Sequence, residues 1–112
     1  MATYVRIQDR KHGIEDLLRE GRASLPMRNE ETDTRYGVSV CTNLEALMDY
    51  YVQCPIEIGD DPVIITLEGD IADDQPLDAE YGEILINATR VVSIESAEDA
   101  GFFDGINARL DS

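Results

Sequence analysis

The chain has 112 residues, and its 24 Asp and Glu against 9 Lys and Arg give a formal net charge of −15 and a pI near 4.1. A chain of this size buries enough surface for one core but not two, so it is one acidic domain. Its longest apolar runs, such as Val63-Ile64-Ile65 and Ile84-Leu85-Ile86, fall far short of the ~20 residues that span a bilayer.

Met1 to Arg6 becomes charged before any apolar signal region develops, so the expected compartment is the cytoplasm. Thr3-Tyr4-Val5-Arg6-Ile7 alternates β-branched and aromatic residues, which predicts a strand with Tyr4 and Arg6 on one face and Val5 and Ile7 on the other. Ile14, Leu17 and Leu18 fall at i, i+3, i+4 before Gly21, predicting a short amphipathic helix. Arg22 to Arg35 shows neither period and reads as a surface loop. Gly37-Val38-Ser39-Val40-Cys41 predicts a second strand. Thr42 or Asn43 then caps a helix from Leu44 to about Val52 that buries Leu44, Leu47, Met48 and Tyr51.

The Gly59-Asp60-Asp61-Pro62 turn leads into Val63-Ile64-Ile65-Thr66-Leu67, whose near-continuous apolarity marks a central strand. Gly69 to Tyr81 reads as an acidic loop. Glu83-Ile84-Leu85-Ile86 and Thr89 to Ile94 read as two strand segments broken by a bend or bulge near Asn87-Ala88. In the polar tail after Glu95, Phe103, Ile106 and Leu110 fall at i, i+3, i+7, which with Phe102 would lay a helical turn or two on the sheet. The fold class expected is a single α+β domain spanning 1–112, a mixed or antiparallel sheet with two or three short helices.

The two cysteines, Cys41 and Cys54, lack CxxC or zinc spacing and read as reduced, packed thiols. His12 and Cys41 have no third group to orient them as a nucleophilic pair. The acidic loop lacks the ligand spacing of a Ca²⁺ loop, so no metal is expected. Asn87-Ala88-Thr89 matches a glycosylation triplet but lacks a secretory context. The charge argues against direct DNA or RNA binding, which relies on Lys and Arg. It suits a basic protein partner, nucleic-acid mimicry, or plain solubility in a salty cytoplasm, and the single lysine beside eight arginines also fits a high-GC or halophilic source.

Three polar residues at predicted strand positions ask for a reason: Arg6, Ser39 and Glu83. Tyr4-Val5-Arg6, then Gly37-Val38-Ser39-Val40-Cys41-Thr42 with Leu44-Glu45-Ala46-Leu47 and Tyr50, then Glu83-Ile84-Leu85-Ile86, occur in this order. The arrangement resembles the ADP-ribosyltransferase-like family, with its arginine on an early strand, its Ser strand and helix, and its late strand opening on a catalytic Glu. The resemblance spans about Tyr4 to Ile94. It implies NAD as cofactor, with Arg6 holding the pyrophosphate, Ser39 bracing the nicotinamide-ribose pocket and Glu83 as the catalytic carboxylate on the ribose 2′-OH. Val40-Cys41 stand where the family commonly has Thr-Ser, and Tyr81 where many members have Glu or Gln. The acceptor is therefore left open.

A second reading is non-enzymatic. Asp60, Asp61, Asp70, Asp73, Asp74, Asp78 and Glu80 flank one predicted strand and could imitate a row of phosphates. That would suit an acidic inhibitor of the kind mobile elements or phages encode, such as an anti-CRISPR or anti-restriction protein occluding a basic nucleic-acid channel. A third reading is a structural protein whose charge serves solubility alone.

Overall fold

Alternation and turn chemistry resolve into β1 (Thr3–Asp9), β2 (Ser24–Leu25), β3 (Gly37–Val40), α1 (Leu44–Gln53), β4 (Pro62–Ile71), a 3₁₀ turn (Ala79–Tyr81), β5 (Ile84–Ser96) and α2 (Phe102–Leu110). The computed structural model describes residues 2–11, 24–25, 37–53, 59–72 and 79–110. The expected helix at Ile14–Glu20 lies outside the described residues, as do His12, Cys54, Asp73, Asp74 and Asp78.

The strands form one sheet in the order β1-β4-β5-β3-β2. β1, β4, β5 and β3 are antiparallel neighbours, and β2 runs parallel to β3, so the sheet is mixed within an α+β domain. Its radius of gyration of 13.0 Å matches the roughly 13 Å of a single compact domain this long. β1 and β3 are separated by two strands in that order, yet Val5 and Cys41 exchange both backbone hydrogen bonds, at 2.9 and 2.8 Å. The sheet must therefore curl until its first strand meets the end of β3.

That curl has a local cause in β5. Thr66 pairs with Ser93 but Leu67 with Val91, and Glu68 with Arg90 but Gly69 with Ala88, leaving Val92 and Thr89 as extra residues. Such bulges bend a strand and increase its twist. The two expected segments are thus one continuous strand, irregular beside the Asn87-Ala88 position where a break is expected. β4 also runs further than its apolar stretch, through Gly69, Asp70 and Ile71 paired with Ala88, Asn87 and Ile86. Backbone pairing, not side-chain polarity, sets its end, so the strand runs three residues into the expected loop, through Ile71. Likewise Ser24-Leu25, expected within a loop, pairs with Gly37 and Val38.

One core cluster packs Ile7, Cys41 and Ile64 of the sheet under Leu47, Met48 and Tyr50 of α1 and Phe102 and Ile106 of α2. A second gathers Tyr4, Val38, Val40, Val63, Ile65, Leu67 and Ile86, as period-two alternation requires. In α1, Asn43 Oδ1 accepts a hydrogen bond from the Ala46 N–H at 2.8 Å, the expected N-cap. Tyr50 is fully buried, whereas Leu44 and Tyr51 are only partly so. Tyr51 instead meets Phe102 edge to face, with centroids 5.3 Å apart. The expected apolar stripe of the tail is corrected in the same way. α2 buries Phe102 and Ile106, four residues apart, and leaves Phe103 and Leu110 exposed.

Candidate functional site

Arg6, Ser39 and Glu83 come from β1, β3 and the residue before β5, and they converge at Ser39. The Ser39 hydroxyl donates to Glu83 Oε2 at 2.5 Å, across 44 residues of chain. Arg6 Nη1 donates to the Ser39 backbone carbonyl at a long 3.4 Å, across 33 residues. Relative exposures are 5% for Arg6, 0% for Ser39 and 4% for Glu83. Polar groups this buried persist because they are held by partners. Ser39 is the joint: its main chain meets the guanidinium and its side chain meets the carboxylate.

The curl of the sheet makes this possible. Arg6 pairs across β1 and β4 with Ile65, two strands away from β3 in sheet order. The Val5–Cys41 bridge, one residue from Arg6 and two from Ser39, carries the end of β3 back to β1. Ser39 pairs with Leu85 and Val40 with Ile84. The next step of that antiparallel register sets Cys41 opposite Glu83.

Electrostatics follow from this burial. Desolvation lowers the Arg6 guanidinium from 12.5 to about 10, so it stays cationic at neutral pH in a place where its charge is poorly screened. Burial first, and the nearby Glu83 charge second, push the Cys41 thiol from 9.0 up to about 12. Cys41 is a free, buried thiol and is protonated at neutral pH, a structural thiol rather than a nucleophile.

Two neighbours escape the sequence reading. Cys41 stands beside Glu83, a relation visible only from the β3–β5 register. Gln8 is buried on β1 and continues the Tyr4-Arg6 alternation one residue past the expected strand end at Ile7. Extending that alternation would have found it.

The carboxylates of the second reading are distributed otherwise. Asp60 and Asp61 precede β4 and Asp70 lies near its far end, about 30 Å away along a ten-residue strand. Asp61 pairs with Arg10 at 2.8 Å, and Glu80 is exposed on the 3₁₀ turn. Among the described residues no group of three or more His, Cys, Asp or Glu is arranged to hold a metal ion. No described helix is long and apolar enough to cross a membrane. No family model, curated protein or solved structure matches the chain.

Proposed function

We propose that this domain takes NAD⁺ as a substrate, breaks its nicotinamide–ribose bond and transfers ADP-ribose to a macromolecular target. The observation that supports this reading is the junction at Ser39, where a buried arginine of β1 and the buried glutamate that precedes β5 are tied to one residue. Apolar packing alone gives no reason to gather these groups, since buried charges weaken a fold unless well paired.

The chemistry suits them. Loss of nicotinamide develops positive charge on the ribose, and a carboxylate held beside it stabilises that charge more than it stabilises the ground state. Glu83 is that carboxylate and hydrogen-bonds the ribose 2′-OH. Ser39 fixes its orientation, and Arg6 offers the pyrophosphate a planar donor fork. The C1′–N bond breaks with its electron pair going to nicotinamide, which leaves as a neutral base. An acceptor nitrogen or oxygen then bonds to C1′ and releases its proton to solvent, so no oxidant or reductant is consumed.

The test is a labelled-NAD⁺ assay in a bacterial lysate that follows released nicotinamide and labelled macromolecules for the wild type and Glu83→Gln. Removing one charge-stabilising group is expected to slow turnover roughly 10²–10³-fold. Circular dichroism checks that the isosteric variant is folded. Absence of turnover in the wild type, or turnover indifferent to Glu83→Gln, overturns the reading.

A further inference from the structure

β5 is longer than the strands that cover it. On one side it pairs with β4 from Ile86 to Ser96, but on the other β3 reaches only Ile84–Ile86. Among the described residues nothing pairs with that second edge from Asn87 to Glu95. A strand with one neighbour presents a row of N–H and C=O groups on its other side, a template for another strand. The side chains are open as well: Val92 is 41% and Ile94 42% exposed, and Arg90, Ser93 and Glu95 are exposed.

The bulge at Val92 decides which face these side chains take. Val91 lies opposite Leu67 and Ile94 opposite Ile65, two members of the second apolar cluster. Arg90 lies opposite Glu68 and Glu95 opposite Ile64, on the other face. In a regular strand, residues three or five positions apart take opposite faces. The extra residue brings Val91 onto one face with Ile94, and Arg90 onto the other with Glu95.

That match is what pairing this edge with itself requires, because side chains opposed across an antiparallel pair share a face. The twofold register that sets Arg90 against a second copy's Glu95 also sets Val91 against its Ile94, and each pair occurs twice. On one face Arg90 then stands between Glu68 of its own chain and Glu95 of the other. It holds Glu68 through Nε and Nη2, at 3.2 and 2.9 Å, which leaves Nη1 for the second carboxylate. On the other face the apolar row of Leu67 and Val91 continues into the second copy's Ile94 and Ile65. Bulges and charges keep an edge from pairing indiscriminately. Here they select a register, since setting Arg90 against Arg90 or Glu95 against Glu95 would oppose like charges.

We infer that the chain forms a homodimer along β5, with the twofold axis between Val92 and Ser93 and one sheet running through both copies.

The test is sedimentation equilibrium of the full chain in roughly 0.15 M KCl, which confines the repulsion between two −15 chains to about 8 Å. The expected mass is twice the 12.5 kDa of one chain. Glu95→Arg, at an exposed position, sets arginine against arginine at both pairs and is expected to weaken the dimer roughly tenfold. Arg90→Glu does the same with glutamates. Mixing the Glu95→Arg chain with the Arg90→Glu chain restores opposite charges at both pairs and is expected to restore association, with circular dichroism checking that both are folded. Hydrogen exchange needs no variant: the Asn87–Glu95 amides of the wild type are expected to slow as chain concentration rises. A wild type still monomeric at about 1 mM, a dimer indifferent to Glu95→Arg, folded variants that fail to associate when mixed, or Asn87–Glu95 exchange that ignores concentration overturns the inference.

Discussion

Cys41 shows how one side chain couples the site to the stability of the fold. Its thiol, buried and close to the Glu83 charge, titrates near 12 in the folded protein against 9.0 when free of the fold. Between those values the unfolded chain releases the Cys41 proton while the folded chain keeps it. Folded protein then binds more protons, so stability falls as pH rises from about 9. From pH 9 to 10 the loss is about 1 kcal/mol, and urea titrations at both pH values should show it in the wild type but not in Cys41→Ala. Arg6 works in the opposite direction. Its folded value near 10 lies below its free value of 12.5, so above about pH 10 the unfolded chain binds the extra proton and burying Arg6 becomes less costly. Comparing with Cys41→Ala isolates the thiol, because Arg6 is common to both proteins. Ser39 carries a separate prediction. Ser39→Ala removes the donor that holds Glu83, and is expected to lower stability by about 1–3 kcal/mol and, on the proposed transferase function, to slow NAD⁺ cleavage, read by chemical denaturation and by the nicotinamide assay. A stable, fully active Ser39→Ala protein would remove Ser39 from the site. At this scale the residue types were legible, because a polar residue in an alternating strand stands out. Their partners were not, since alternation says which face a side chain takes but not which strand lies beside it.

Elements tell the same story at their ends. β1 and β4 are pinned at one end by Asp9, whose carboxylate accepts the backbone N–H groups of Lys11 and Asp60, each at 3.1 Å. Gly59 makes the close approach possible. Its φ is +76°, and a Cβ there would lie 1.8 Å from Asp9 Oδ2. Gly59→Ala should therefore cost about 2–5 kcal/mol, from backbone strain and displacement of Asp9 together. Thermal unfolding measures it, and a near-neutral result would mean that the Asp9 clamp does not constrain the turn. The Gly59-Asp60-Asp61-Pro62 turn was plain from composition, as was the Asn43 cap of α1, because both are local chemistry. The length of β4 was not. Gly69, Asp70 and Ile71 look like loop residues, but β5 supplies backbone partners for them once its two bulges have shifted the register. On α1 the spacing found Leu47 and Met48, which are buried, but also gave Leu44 and Tyr51, which are only partly so. Tyr50 was missed because the curled sheet and α2 together cover more of the helix than one sheet face would.

For the whole molecule, a net charge of −15 on 112 residues means that the folded state repels itself. Added salt screens that repulsion more in the compact state than in the expanded one. The melting temperature is thus expected to rise on going from low to molar KCl, and a scan in which it stays flat or falls would show that specific ion pairs outweigh the net charge. Composition alone carried this property, along with the absence of a long apolar run. The order of strands along the chain, the alternation in β1 and β3, the capped helix and the turn before β4 were likewise determined by residues near one another in sequence, because dihedral preference, capping and periodicity act within a few positions. The tertiary structure alone decided that β1, after two intervening strands, returns to touch Cys41. It also decided that Arg6 thereby reaches Ser39, and that Ser39 in turn holds Glu83. Those contacts span 33 and 44 residues, and they exist because bulges in β5 curl the sheet while two apolar clusters hold it closed, an outcome that depends on packing between segments and is encoded in no one of them.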